Sequence, residues 1–428
     1  MKIQKYKLFL STLLVAMSLA TAWAVRGQFG HEQGAAWAGG IGALALVLLS
    51  RRNDWYQRIF TVALASAIGW GMGGMISYGA VVGYGRSDNF PNAFYGLLML
   101  FVIGGLFGLM GGGLTGLSLE STKQKRVNWA GLFAEMVAGG LIFYGFLILQ
   151  LEILMTPPRA ENWAIILGAG VALIWYMVRN GFYSSLRVAL FTTLGAGFGF
   201  AFGNFLQTVG TVMHIQFNMW NVMEYSIGFF GGSALAYSVY SSQWPETVEA
   251  PKKWESRTAF LIVIGLFPLI VFRESLRYGA LIKRFDNITF SENIALWSSV
   301  VAGLLIVAAI VIIWWQNERV NFRFTWNNVW LIFVLYLVNY VAVSFIVTGA
   351  FAGNIMLNHK LYVVNLIVIF FLVGRLPLPF GKNLYARINA QQWAIFLFLI
   401  VVFISIITLI SISIHGEMNG AHDRFPMS

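Results

Sequence analysis

The chain has 428 residues, 58% hydrophobic and 11% charged, with a mean hydropathy of +0.72 and a net charge of +11. Soluble domains are about half apolar and about a quarter charged, so this chain takes lipid as its solvent. The absence of cysteine excludes disulfides, thiol catalysis and Cys-based metal sites. Nucleic acid is excluded as a partner because the basic residues sit in short connecting segments, not on a soluble domain.

A spanning helix needs about 20 apolar residues, and thirteen runs of roughly that length follow one another. They are 7–25, 34–50, 59–84, 94–119, 129–153, 163–178, 187–210, 220–242, 257–273, 294–316, 327–349, 360–374 and 391–415. The sixth and twelfth are short, which leaves a range of 12–14. The fold class is therefore an all-α integral membrane protein. Placing the N-terminus inside gives the inner segments 19 of the 28 basic residues. This bias predicts a cytoplasmic N-terminus and an external C-terminus, in a bacterial inner (cytoplasmic) membrane. Lys2, Lys5 and Lys7 before an apolar core, with Ala22-Trp23-Ala24 after it, also fit a cleaved signal peptide.

Between the first two spans the chain reads Arg26-Gly27-Gln28-Phe29-Gly30-His31-Glu32-Gln33-Gly34. A guanidinium, an imidazole, a carboxylate and two amides are packed at a bilayer boundary in a chain poor in charge. The plain readings are an Arg26 that snorkels to headgroups and a Glu32 that complements a helix N-terminus. The sharper reading is a pocket in which Arg26 grips an anionic or hydroxyl-rich ligand, Gln33 adds an amide, and His31 and Glu32 exchange protons.

Thirty-six of the 45 glycines precede residue 233, and the first half repeats at an offset of about 126 residues. Gly42-Ala43 matches Gly168-Ala169, and Gly69, Gly71 and Gly73 match Gly195, Gly197 and Gly199. A unit of four spans places both copies in one orientation, as in parallel-repeat transporters. The expected organisation is a first four-helix repeat (1–126), a second (127–250) and a C-terminal five-helix bundle (251–428). Gly104, Gly108, Gly112 and Gly116 form an i, i+4 ladder, and Gly195, Gly199 and Gly203 another. Such stripes let helix backbones approach closely in lipid.

Glu135, in the fifth span, is a candidate proton relay, since a carboxylate within a bilayer is costly and calls for a reason. The alternative is an ion pair with Arg126 or Lys125. At the outer level, Asn204 and Gln207 in the seventh span and Glu224 in the eighth join the first cluster as candidate substrate ligands. Arg273 and Arg277, at i, i+4, could clamp a carboxylate, sulfate or phosphate. Asn339 and Asn365 are mid-span amides that either glue helices or line a path. All five histidines fall on the outer side without metal-binding spacing, so no metal and no cofactor is expected.

These features point first to a transporter of a small polar solute, anionic or sugar-like, that is proton-coupled. No Walker A motif is present. The alternatives are a membrane enzyme acting on a lipid-linked or sugar substrate at the outer face, with His31 or Glu32 as general base and Arg26 as a phosphate or oxyanion clamp, and a structural subunit of an envelope complex. The partners expected are the lipid bilayer and a small-molecule solute; assembly into a homo-oligomer is compatible with the pattern.

Overall fold

The computed structural model describes residues 2–245, 249–286, 290–373 and 390–426, and all their regular structure is helical. Among the described residues ten helices are long and apolar enough to cross a membrane, which makes this an all-α, multi-pass membrane protein.

In chain order, α1 (Lys2–Arg26), α2 (His31–Ser50), the single turn α3 (Asn53–Tyr56), α4 (Ile59–Gly74), α5 (Gly79–Tyr84) and α6 (Phe90–Glu120) come first. Next are α7 (Trp129–Phe143), which runs on as a π-helix over Tyr144–Gln150, α8 (Asn162–Arg179), α9 (Tyr183–Val212) and α10 (Met219–Tyr240). A single rod, Lys253–Leu276, contains α11 (Lys253–Phe260) and α12 (Phe267–Val271), each followed by π turns. The remainder are α13 (Tyr278–Arg284), α14 (Ser291–Arg319), α15 (Trp326–Val347), α16 (Leu357–Val373) and α17 (Ala390–Ile414).

The expected span 59–84 is not one helix. A continuous helix of that length would measure about 39 Å, against about 30 Å of hydrocarbon. α4 stops at Gly74, residues 75–78 are non-helical, and α5 is a separate short helix. Three further helices, of 16 to 22 residues, fall outside the ten. α4 and α16 are short, and α10 carries Asn221, Glu224 and several serines and tyrosines along its length.

Six helices close a ring in the order α1, α2, α4, α6, α9, α10 and back to α1. Its walls touch where glycines stand. A Cβ on Gly69 would strike the Met110 carbonyl of α6, one on Gly108 the Thr192 carbonyl of α9, and one on Gly199 the Ser226 carbonyl of α10. On α10, Gly228 and Gly232 meet Ala20 and Ala16 of α1. Close backbone approach maximises dispersion contact where lipid provides no hydrophobic drive between helices. The interior is filled by Trp23, Trp70, Phe107 and Phe200, all fully buried, with Trp23 and Trp70 edge to face at 4.9 Å between centroids.

The α7–α8 hairpin lies outside this ring, against α6 and α9. The remaining long helices surround it. α12 and α15 cover α2, α16 lies on α1, α11 on α4, and α17 on α6 and α9. α2 is thereby almost wholly buried, whereas α14 and α17 present Trp297, Leu304, Trp315, Phe398 and similar side chains outward, as lipid-facing helices do. The mid-span amides tie helices together. Asn339 donates to the Leu305 carbonyl (2.7 Å), and Asn365 donates to the Thr21 and Tyr225 hydroxyls, each at 3.2 Å.

Candidate functional site: a buried ion pair beneath a cavity

Arg26 is the last residue of α1, and the turn into α2 fixes where its side chain goes. Gln28 N–H donates to the Val25 carbonyl and Phe29 N–H to that of Arg26, while Gly30 takes a φ of +94° before α2 begins. Gly34 lies directly on the Arg26 carbonyl, so any side chain there would push α2 off α1. Phe29 is buried against Trp37 and Tyr340 and pins the turn to α15.

The Arg26 side chain is fully buried, and its guanidinium carbon lies 4.5 Å over the Trp23 ring. Its Nε and Nη2 donate to Glu224 of α10 at 3.0–3.3 Å, forming a forked ion pair. Nη2 also reaches the Tyr78 hydroxyl (3.2 Å), and Tyr78 in turn donates to Glu224 Oε1 at 2.6 Å. Nη1 donates to His31 Nδ1 at 3.2 Å, which places the imidazole proton on Nε2. Burial of the Tyr78 phenol, beside the Glu224 carboxylate, raises its pKa far above the usual range, so it remains a hydrogen-bond donor.

Above this pair opens a cavity of about 690 Å³. Its wall comes from the α1–α2 turn (Gln28, His31, Glu32), the break between α4 and α5 (Met75–Gly79), the α7–α8 connection (Arg159, Asn162) and the start of α10 (Asn218, Trp220, Asn221, Glu224). The Asn162 side chain donates to the Met75 carbonyl (3.1 Å), and Asn221 donates to the Ala24 carbonyl and the Tyr362 hydroxyl, both at 2.8 Å. The lining offers amides, a half-exposed indole, an exposed cation and two carboxylates, one of which is already neutralised by Arg26.

The sequence-predicted residues separate into groups. Arg26, His31, Glu32 and Glu224 converge here, although Arg26 lies beneath the cavity with its charge taken up by Glu224 instead of standing free. Gln33 lies under Gly30 and is not in the wall. Asn204 and Gln207 are fully buried in α9 and bonded to each other at 3.2 Å, with Asn204 against Gly85. Arg273 and Arg277 do not share a helix face, because Arg273 lies in a π turn and Arg277 has left the helix with extended backbone. Arg273 is exposed and faces Glu274 at 3.4 Å; the basic residue that reaches the α1–α2 turn is Arg284, which donates to the Gln28 carbonyl (3.0 Å). Glu135 is paired with Arg179 of α8 at 2.6 Å, a partly exposed bridge within the peripheral hairpin, whereas Arg126 pairs with Glu255 and Lys125 with Glu120.

Tyr78, Arg159, Asn162 and Trp220 were not anticipated as site residues. Gly73-Gly74 followed by Ser77 was the available signal for the break that exposes Tyr78. Among the described residues no three His, Asp or Glu side chains converge as a metal-binding set. No protein-family model, curated protein or solved structure matches the chain.

Proposed function

We propose that this protein is a proton-coupled transporter of a small anionic or sugar-like solute, which binds in the cavity above Arg26 and Glu224. The observation that carries the reading is the buried, forked Arg26–Glu224 pair whose carboxylate borders the cavity. A buried pair is costly to desolvate and adds little net stability, so its presence calls for another reason. Protonation of Glu224 would leave the Arg26 guanidinium without its counter-charge at the moment an anion can replace it. Proton and anion then bind together, and the site stays neutral in both states. The amides and Trp220 supply hydrogen bonds and a stacking face for a hydroxylated solute.

The broken α4–α5 segment supports the same reading, because discontinuous helices border substrate sites in many transporters. The proposed parallel repeat is supported by the glycines that match at the offset. Gly42 lies on α1 and Gly168 on α7, the preceding helix in each copy. Gly69 and Gly73 of α4 lie on α6, beyond the short α5, and Gly195 and Gly199 of α9 lie on α10, the next long helix in each copy. We place the cavity on the external face, with the N-terminus of α1 in the cytoplasm.

His31 and Glu32 both border the cavity, which favours one alternative, an outer-face enzyme using either as general base. A thermal-stability screen of the purified protein against sugars, acidic sugars, amino acids and organic anions separates the two, with mass spectrometry of each ligand afterwards. A ligand that stabilises wild type but not Arg26→Ala, and returns unchanged, supports transport. A chemically altered ligand establishes an enzyme, and a ligand that stabilises both proteins equally removes Arg26 from the site.

A further inference from the structure

At the opposite end of the molecule a second cavity, of about 500 Å³, lies among α4, α6, α7 and α11. Its floor is Arg58, which caps α4, and one face of α4 through Thr61, Leu64, Ala65 and Ile68, residues spaced to share a stripe about 15 Å long. The end of the stripe nearest the loops is basic, and the end deep in the bundle is apolar. Arg58, Lys123, Arg126 and Lys252 surround the loop end, with Glu249 and Glu255 as the acids of the wall. Lys123 is bridged to Glu249 at 3.4 Å and Arg126 to Glu255 at 3.3 Å. Arg58 and Lys252 are left over, and no carboxylate among the described residues bridges either.

Arg58 donates to the Ser121 carbonyl at 3.0 Å, a neutral partner for a half-buried cation. Burial lowers its pKa to about 10, so it still carries full charge at neutral pH. Trp129 and Trp254 flank the basic end, and Trp254 is 63% exposed. Indoles of this kind mark the headgroup level of a bilayer. Deeper in, Leu64, Ile68, Leu114 and Phe133 offer only hydrocarbon.

We infer that this groove is a binding site for one anionic glycerophospholipid of the leaflet on that side. Its phosphate lies between Arg58 and Lys252, and an acyl chain runs along α4 towards Ile68. Charge at one end and hydrocarbon at the other, running along α4 with indoles beside the charged end, match a lipid and not a soluble phosphate. The site is independent of the outer cavity and of the transport reading.

The test is native mass spectrometry of the full-length protein in detergent. Phosphatidylglycerol and phosphatidylcholine of the same chain length are added in competition, and sn-glycerol 3-phosphate is added separately. Wild type is expected to retain one phosphatidylglycerol in preference to phosphatidylcholine and to ignore glycerol phosphate. Lys252→Gln should lower that preference about fivefold, and Arg58→Gln with Lys252→Gln about thirtyfold. Thr258→Trp, which fills the groove from α11, should lower occupancy by both lipids. Equal retention of the two lipids, binding of glycerol phosphate alone, or an unchanged preference in Lys252→Gln would each overturn the proposal. Lys252 makes no ion pair among the described residues, so that single variant remains informative if the double variant does not fold.

Discussion

Glu224 receives Tyr78 and both forked nitrogens of Arg26 while its carboxylate edge still borders the cavity, so in the proposed reading one side chain bears on both stability and ligand access. Glu224→Gln leaves the fully buried Arg26 without a counter-charge, and the unliganded protein should lose about 3–5 kcal/mol. Thermal unfolding in detergent would register this as a clear fall in Tm. The same variant should bind an anionic ligand more tightly than wild type, because nothing must be displaced from Arg26. Titration calorimetry should find wild-type affinity for that ligand rising as pH falls and the variant's affinity flat. A variant with the wild-type pH slope would remove Glu224 from the coupling. His31→Gln and Glu32→Gln should abolish uptake into proteoliposomes while membrane insertion persists; full uptake in both would remove the cavity above Glu224 as the site. The sequence made Arg26, His31 and Glu32 legible because eight adjacent residues carried the whole signal. Glu224, some 200 residues away, was one polar candidate among many until the fold placed it against Arg26.

Helix pairs depend on glycine to different extents, and the difference is measurable. Gly108→Ala would force α6 from the Thr192 carbonyl of α9, costing about 1–3 kcal/mol in thermal unfolding. Gly145 has open space around its Cβ position, so Gly145→Ala should leave Tm unchanged. Equal effects at both positions would mean that the ladders do not set helix spacing. In the α7–α8 hairpin, Glu135 already has its counter-charge in a partly exposed bridge to Arg179. Glu135→Gln should therefore leave the dependence of uptake on the pH gradient intact, and its loss would restore Glu135 as a proton relay. Helical periodicity announced the ladders as packing surfaces. It did not announce that α4 ends at Gly74, because an apolar sequence reads alike whether it is one long helix or two pieces around a break.

The ring determines which loops share a face. The C-terminal segment folds onto the α5–α6 connection, with Asp423 accepting from Ser87 (2.6 Å) and the Arg424 and Phe425 N–H groups donating to Asn92 Oδ1 at 2.6 and 2.7 Å. That segment, the cavity and the α9–α10 turn therefore lie together, opposite the α14–α15 turn. In this cysteine-free chain, Gln216→Cys should react with an impermeant maleimide on intact cells and Arg319→Cys only after lysis. The reverse pattern would invert the proposed orientation.

The sequence by itself determined that the chain lives in lipid as helices, roughly where they lie and where they pack closely. Hydropathy and glycine spacing are local properties with a helical period, so they survive without knowledge of neighbours. Only the tertiary structure decided that α1 closes a ring with α10 and that Arg26 meets Glu224 and Tyr78. It also placed Arg273 and Arg277 away from the cavity and joined Glu135 to Arg179. Those outcomes depend on which helices become neighbours, and in a uniformly apolar chain that choice follows from side-chain fit and a few buried polar bonds spread across hundreds of residues.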